Sequence, residues 1–129
     1  MSNIPTNAVP KDNWGPNHWR LLLSIEERCV FHAGVLDWSA MRCSQEKHPE
    51  VWTEFCPSAD ISIQLRDGTF KQDHDDWDIV KDFIVHGLMR QNDDRGEPAV
   101  VMLPEGWKQV HALREHLAND GYYTDFAGV

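Results

Sequence analysis

The chain has 129 residues, of which 41% are hydrophobic and six are tryptophan. This length and apolar content fit one domain with its own core, and they exclude a chain that is disordered throughout. Twelve Lys and Arg against 21 Asp and Glu give a formal net charge of −9. That sign disfavours nucleic acid as the main partner, because such proteins neutralise phosphates with basic side chains.

Signals for secretion and membrane insertion are missing from the sequence. No apolar run approaches the roughly 20 residues of a membrane span, and the segment Met1 to Asn7 lacks the charged and apolar parts of a secretory signal. Three widely spaced cysteines are not a disulfide framework and fit a reducing compartment. We therefore expect a cytoplasmic protein without a membrane partner.

The first half of the chain predicts a leader, two helices and a loop. Residues 1–13 contain two prolines, three asparagines and no apolar periodicity, which predicts a flexible leader before a domain over 14–129. Apolar residues at three-and-four spacing predict a first helix over 16–32, and a short second helix over 38–42 follows. The stretch 43–59 has two prolines and no clean period, which is typical of an inserted surface loop.

The second half mixes strand and helix patterns, so the predicted fold class is α+β. A strand over 61–65 is followed by a helix over 75–86 and by a hairpin made of 88–90 and 99–103. A last helix runs from Pro104 to a stop at 119–121. We expect the aromatic tail over 122–126 to fold back and pack on the domain.

Three segments of the second half resemble MarR-like winged helix-turn-helix regulators. Residues 83–89 resemble the end of the recognition helix, 93–96 the wing, and 100–106 the start of the final helix. The resemblance covers about Trp77 to Val110. It implies a winged helix-turn-helix-like single domain, into which the 43–59 loop is inserted.

Most of the chain is also similar to short uncharacterised proteins of tailed bacteriophages. The segments that carry this similarity are His18-Trp19, Met41-Arg42-Cys43, His48-Pro49 and residues 74–78. The resemblance implies a phage protein that acts in the host cytoplasm, and it implies no particular activity.

Aspartates dominate one side of the predicted third helix. At 100° per residue, Asp75, Asp78 and Asp82 share one sector, opposite the apolar sector of Trp77 and Val80. We expect this carboxylate stripe to face outward, although acids in the first turn of a helix also serve as caps. A stripe facing DNA phosphates is repelled by roughly 1 kcal/mol or more per pair, so this helix is a poor reader of the major groove.

These patterns favour a non-enzymatic acidic binding protein. In this interpretation the stripe engages a basic surface on a protein partner and inhibits a host nucleic-acid-handling or anti-phage defence complex by partial DNA mimicry. The expected contact residues are Asp75, Asp78, Asp82, Asp93, Asp94 and Trp52. No catalytic residue, metal or cofactor is expected, and a homodimer is left open.

One alternative is a winged-helix transcriptional regulator that binds DNA as a dimer. Arg90 and Arg95 in the predicted wing would then contact backbone phosphates, among the acidic residues of the same turn.

A second alternative is a zinc-binding module or a small metal-dependent enzyme. Two thiols and two imidazoles within twenty residues have the ligand count of a structural zinc site. These residues are Cys29, His32, Cys43 and His48. Independently, His74, Asp75 and Asp78 at the start of the third helix offer an imidazole and two carboxylates to a divalent metal.

Overall fold

A computed structural model describes residues 8–37, 39–57, 61–92 and 98–129. Three helices and two antiparallel two-stranded sheets form a mixed α+β arrangement in this part of the chain. The helices are α1 (Pro16–Phe31), α2 (Asp76–Val85) and α3 (Pro104–Ala118). The strands are β1 (Ile63–Gln64), β2 (Phe70–Lys71), β3 (Met89–Gln91) and β4 (Val100–Met102), with β1 paired to β2 and β3 paired to β4. None of these helices is long and apolar enough to cross a membrane.

Local signals placed the three long helices and the hairpin correctly. Pro16 and Pro104 occupy the first turns of α1 and α3, where a missing N–H costs nothing. Gly87 ends α2 with a φ of +78°, a left-handed conformation that glycine adopts without steric strain. The predicted strand before the Asp67 turn is present as β1, and its partner β2 is an addition to the prediction.

Two predicted features of the first half differ in the structure. Residues 39–42 are turn and irregular backbone rather than helix, and Trp38 lies outside the described residues. The segment from Ala8 to Asn13, predicted to belong to a flexible leader, packs on the domain. Val9 is buried, and its carbonyl oxygen accepts a hydrogen bond from the indole of Trp14 at 2.9 Å.

Aromatic side chains fill the core between α1 and α2. Trp14 is fully buried, and its ring stacks on His18 with 5.2 Å between centroids. Phe126 meets Trp19 edge to face at 4.6 Å, which confirms that the aromatic tail packs back. Helix α2 lies in the interior of the domain, since Lys81 is its one exposed residue. This central position shapes the candidate site.

Candidate metal centre

The aspartates of α2 point into the protein, so the prediction that they face outward is wrong. Asp75, Asp78 and Asp82 expose 0%, 3% and 1% of their surface. The side of α2 opposite its apolar face is covered by the segment around Val9, by the start of α1 and by the turn that begins at Ser44. These segments bring hydrogen-bond donors to the carboxylates, and the donors offset the cost of burying charge.

The remaining predicted contact residues do not restore an acidic surface on α2. Asp93 and Asp94 lie outside the described residues, as does Arg95 of the DNA-binding alternative. Trp52 is half-buried and packs against the core, and Arg90 is exposed on β3. Because α2 is an interior helix, neither docking through its aspartates nor insertion into a DNA groove finds a free helix face.

One buried group, the His18–Asp82–His74 cluster, is a hydrogen-bonded network. The Nε2 atoms of His18 and His74 lie 2.8 and 2.7 Å from the same Oδ2 atom of Asp82, and the Val9 backbone N–H donates to Oδ1 at 3.2 Å. These distances are those of ordinary hydrogen bonds. Both oxygens of this carboxylate therefore have partners.

Burial and hydrogen bonding act in opposite directions in this cluster. Burial alone would raise the pKa of Asp82, but the hydrogen bonds and charges of the two histidines hold it below its usual value. Burial lowers the pKa of His18, because removal from water disfavours the imidazolium. An ionised Asp82 flanked by imidazole N–H donors joins the N-terminal segment, α1 and α2.

A second buried group, the His48–Asp75–Asp78 cluster, has a different geometry. The Nε2 atom of His48 lies 3.2 Å from Oδ1 of Asp78 and 3.3 Å from Oδ1 of Asp75. Neither contact has hydrogen-bond geometry, so Nε2 is a buried nitrogen without a hydrogen-bond partner among the residues that the structure describes. His48 is 5% exposed, which means that bulk water does not satisfy this atom either.

The start of α2 and the turn before it hold these ligand atoms in place. Asp75 and Asp78 form a reciprocal capping box, in which the Asp78 N–H donates to Asp75 Oδ1 at 2.9 Å and the Asp75 N–H donates to Asp78 Oδ2 at 3.2 Å. The Ser44 N–H donates to the other oxygen of Asp75 at 2.9 Å, and the Ser44 carbonyl accepts from the His48 N–H at 2.9 Å. One serine thus ties the loop histidine to the helix cap.

A lysine ammonium pairs with one of the two carboxylates of this cluster. Lys47 donates from Nζ to Oδ2 of Asp78 at 2.6 Å. Burial alone would raise the pKa of Asp78, but this hydrogen bond and the lysine charge outweigh burial and hold it below its usual value. Asp78 is therefore ionised at neutral pH. Its neighbour Asp75 is fully buried, and its carboxylate accepts from the backbone N–H groups of Ser44 and Asp78.

The separations of His48 Nε2 from the two carboxylate oxygens match those in a tetrahedral metal site, and all three ligand atoms lie within 4.8 Å of one another. With metal–ligand bonds of about 2.1 Å, tetrahedral ligands lie about 3.4 Å apart, and the two contacts of His48 Nε2 measure 3.2 and 3.3 Å. Three protein ligands leave a fourth position free. In the His18–Asp82–His74 cluster the corresponding separations are shorter, 2.7 and 2.8 Å, and are those of hydrogen bonds.

The zinc site considered as an alternative, from cysteines and histidines, is not assembled in the structure. In the part of the chain that the structure describes, the two His–Asp clusters are the groups whose potential ligand atoms all lie within 4.8 Å, and neither contains a cysteine. Cys29 directs its thiol to the carbonyl of Val100 at 3.7 Å, and His32 is exposed. Of the four predicted ligands, His48 alone joins a cluster, because Cys43 is also outside both groups.

The alternative based on the start of the third helix was right about two residues and wrong about the third. Asp75 and Asp78 lie together, whereas His74 turns to Asp82. The imidazole at the two carboxylates is His48, from the predicted loop. The Asp-x-x-Asp spacing was a usable signal for the pair, but a loop residue without periodicity gave no indication of which helix it meets.

A cavity of about 160 Å³ adjoins both clusters. Residues of each cluster line it, together with two lysines and two aliphatic side chains. The lining residues are Ala8, Lys47, His48, His74, Asp78, Lys81, Asp82 and Val85. A metal held by His48 and Asp78 would therefore have a chamber beside it with room for a ligand.

A scan against known protein families finds no match for this chain, and searches of curated proteins and of solved structures find none either.

Proposed function

We propose that this protein binds one divalent transition-metal ion through His48 Nε2, Asp75 Oδ1 and Asp78 Oδ1. The observation that carries the proposal is the buried Nε2 atom of His48, which has no hydrogen-bond partner in the described part of the chain and lies 3.2 and 3.3 Å from two carboxylate oxygens. A metal ion would satisfy this lone pair and would also neutralise the buried aspartates.

The ligand types favour zinc among the common divalent ions. Imidazole suits Zn²⁺, Fe²⁺, Cu²⁺ and Ni²⁺, whereas Ca²⁺ and Mg²⁺ prefer an all-oxygen set that includes several waters. Three protein ligands with a fourth position free are typical of catalytic zinc sites, in which the metal activates a water molecule. The site therefore supports a small metal-dependent enzyme of the hydrolytic class better than a structural zinc module.

This proposal replaces the acidic docking protein that the sequence favours. That function depended on a free carboxylate stripe on α2, and the stripe is buried. The winged-helix arrangement remains a proposal for the fold: α2, the β3–β4 hairpin and α3 follow one another in the order that the MarR-like resemblance implies. The phage setting likewise stays a prediction.

Zinc titration by isothermal calorimetry tests the proposed site. We expect the metal-free protein to bind one Zn²⁺, and we expect His48→Ala to weaken binding by about a hundredfold or more, because one of three ligands is lost. The matched control is His111→Ala, which removes an exposed imidazole on α3. Its zinc affinity should equal that of the unchanged protein.

Two results would contradict this assignment. Absence of stoichiometric binding in the unchanged protein would remove the proposed function. Binding that survives in a folded His48→Ala protein but is lost in a folded His18→Gln protein would place the metal in the His18–Asp82–His74 cluster instead. Far-ultraviolet circular dichroism of each variant establishes that it is folded.

A further inference from the structure

The cavity beside the proposed metal site is suited to a particular class of ligand. We infer that it binds a small aliphatic carboxylate, whose oxygen takes the free position on the metal and whose negative charge is shared with the ammonium of Lys81. This inference rests on the proposed metal-binding function and adds the class of molecule on which the site would act.

The charge of the site changes sign when the metal binds. Counted formally as three carboxylates (Asp75, Asp78 and Asp82), two ammonium groups (Lys47 and Lys81) and neutral imidazoles, the two clusters and the cavity sum to a charge of −1. A divalent cation turns this into one positive charge. A ligand with a single negative charge then balances this formal charge, whereas a dianion leaves one negative charge in excess.

The two lysines of the cavity have different roles. Lys47 is already engaged, since it donates to Asp78 and to the carbonyl oxygen of Asp73. Lys81 is the exposed residue of α2 and lines the same cavity, and its ammonium has no ion-pair or hydrogen-bond partner among the residues that the structure describes. It is therefore the cation that is available to an incoming anion.

The remaining wall of the cavity favours a carboxylate with a short alkyl chain. Ala8 and Val85 contribute aliphatic surface, and the volume of about 160 Å³ exceeds the roughly 15 Å³ that a single water requires by this kind of measure. An alkyl chain would gain free energy from leaving water against these side chains. A hydrated inorganic anion such as phosphate has no apolar part that can use this wall.

Cobalt substitution gives a direct readout of ligand binding. Co²⁺ occupies zinc sites, and its visible d–d absorption changes when the coordination of the metal changes. We expect butyrate to alter this spectrum in a saturable manner. Lys81→Gln should weaken butyrate binding by about tenfold, the loss expected for one partly exposed charge-assisted hydrogen bond. Lys108→Gln is the matched control, because Lys108 is exposed on α3 and does not line the cavity.

The possible failures of the two proposals are distinguishable in this experiment. If Co²⁺ gives no spectrum that depends on His48, the metal site itself is absent. If Co²⁺ binds but butyrate leaves its spectrum unchanged, the metal site stands and the carboxylate inference is overturned. Tighter binding of inorganic phosphate than of butyrate would overturn the ligand class, and equal butyrate affinity of the Lys81→Gln and unchanged proteins would overturn the role of Lys81.

Discussion

The two His–Asp clusters are built from the same residue types and share helix α2, yet their geometry differs. In the His18–Asp82–His74 cluster both imidazoles lie at hydrogen-bond distance from one carboxylate oxygen, 2.8 and 2.7 Å away. In the His48–Asp75–Asp78 cluster one imidazole nitrogen lies 3.2 and 3.3 Å from oxygens of two different carboxylates and bonds to neither. In the first cluster the atoms that meet at the carboxylate satisfy one another, and the Nδ1 atoms of His18 and His74 are the ones without a hydrogen-bond partner among the described residues. In the second cluster the nitrogen that lies between the carboxylates is itself the atom without a partner.

This difference shows why burial alone does not identify a ligand site. All of these side chains are less than a tenth exposed. What distinguishes the clusters is the separation of the donor atoms, because hydrogen bonds draw heavy atoms to about 2.8 Å, whereas metal coordination holds ligands more than 3 Å apart. We therefore assign the first cluster a role in stability and propose the second as the metal site.

The largest expected effect is the loss of protein stability when the first cluster is disrupted. Asp82→Ala removes the acceptor for two buried imidazoles and for the Val9 N–H, which should lower the free energy of unfolding by about 3–5 kcal/mol. Urea denaturation measures this loss. Asp12→Ala, at an exposed position, is the control and should change stability by less than about 0.5 kcal/mol. A loss of similar size for Asp12→Ala, or none for Asp82→Ala, would contradict the structural role.

An intermediate effect on the free energy of unfolding is expected when the pH is lowered. The folded pKa of His18 lies below its usual 6.5 because burial disfavours the imidazolium, so the unfolded chain binds the proton more readily than the folded protein does. The stability contributed by neutral His18 is complete above pH 6.5 and is lost as the pH falls towards the folded pKa. The loss is about 1.4 kcal/mol for each unit by which the two pKa values differ.

At pH values below those at which His18 titrates, the lowered pKa of Asp82 adds a second decline in the free energy of unfolding. Burial would raise this pKa, but the histidine hydrogen bonds outweigh it, so the contribution of ionised Asp82 is present above pH 3.8 and is lost as the pH falls further. Urea denaturation of the metal-free protein across this range should show both stages. His18→Phe, which retains a ring to stack on Trp14, should remove the first stage, whereas His111→Ala should leave both unchanged. A profile that is flat below pH 6.5 would rule out the assignment for His18.

The smallest expected effect concerns the outer side of the second cluster. Oε1 of Glu50 lies 3.9 Å from Nδ1 of His48, the ring nitrogen that faces away from the aspartates. A carboxylate there favours a proton on Nδ1 and leaves Nε2 free for the metal. Because Glu50 is 61% exposed, Glu50→Gln should lower zinc affinity by less than about tenfold. Calorimetry compares it with Glu54→Gln, an exposed glutamate of the same loop, and equal affinities would exclude the effect.

Elements with strong local signals could be predicted from the sequence, and parts of the site could not. Pro16 and Gly87 mark helix ends through backbone chemistry that depends on near neighbours alone. The Asp75–Asp78 capping box is similarly local. The inward direction of the stripe was missed because an amphipathic pattern shows that two sides of a helix differ, and it does not show that the polar side meets water.

The position of His48 was beyond prediction for a related reason. It lies in a loop without periodicity, 27 positions before Asp75, and meets that residue because Ser44 bonds both to the Asp75 carboxylate and to the His48 backbone. The zinc alternative, which relied on the number and spacing of cysteines and histidines, therefore grouped His48 with Cys43, its neighbour in sequence. It did not group His48 with the residues that are its neighbours in space.

The sequence by itself determined an acidic α+β chain with three long helices, one hairpin and a carboxylate pair at the cap of α2, since each follows from composition or from interactions within a few residues. The tertiary structure alone decided that the carboxylates are interior and that an imidazole from a distant loop stands between two of them. Long-range packing set this outcome, because the hydrogen-bond donors that offset the cost of burying the carboxylates come from three separate segments of the chain.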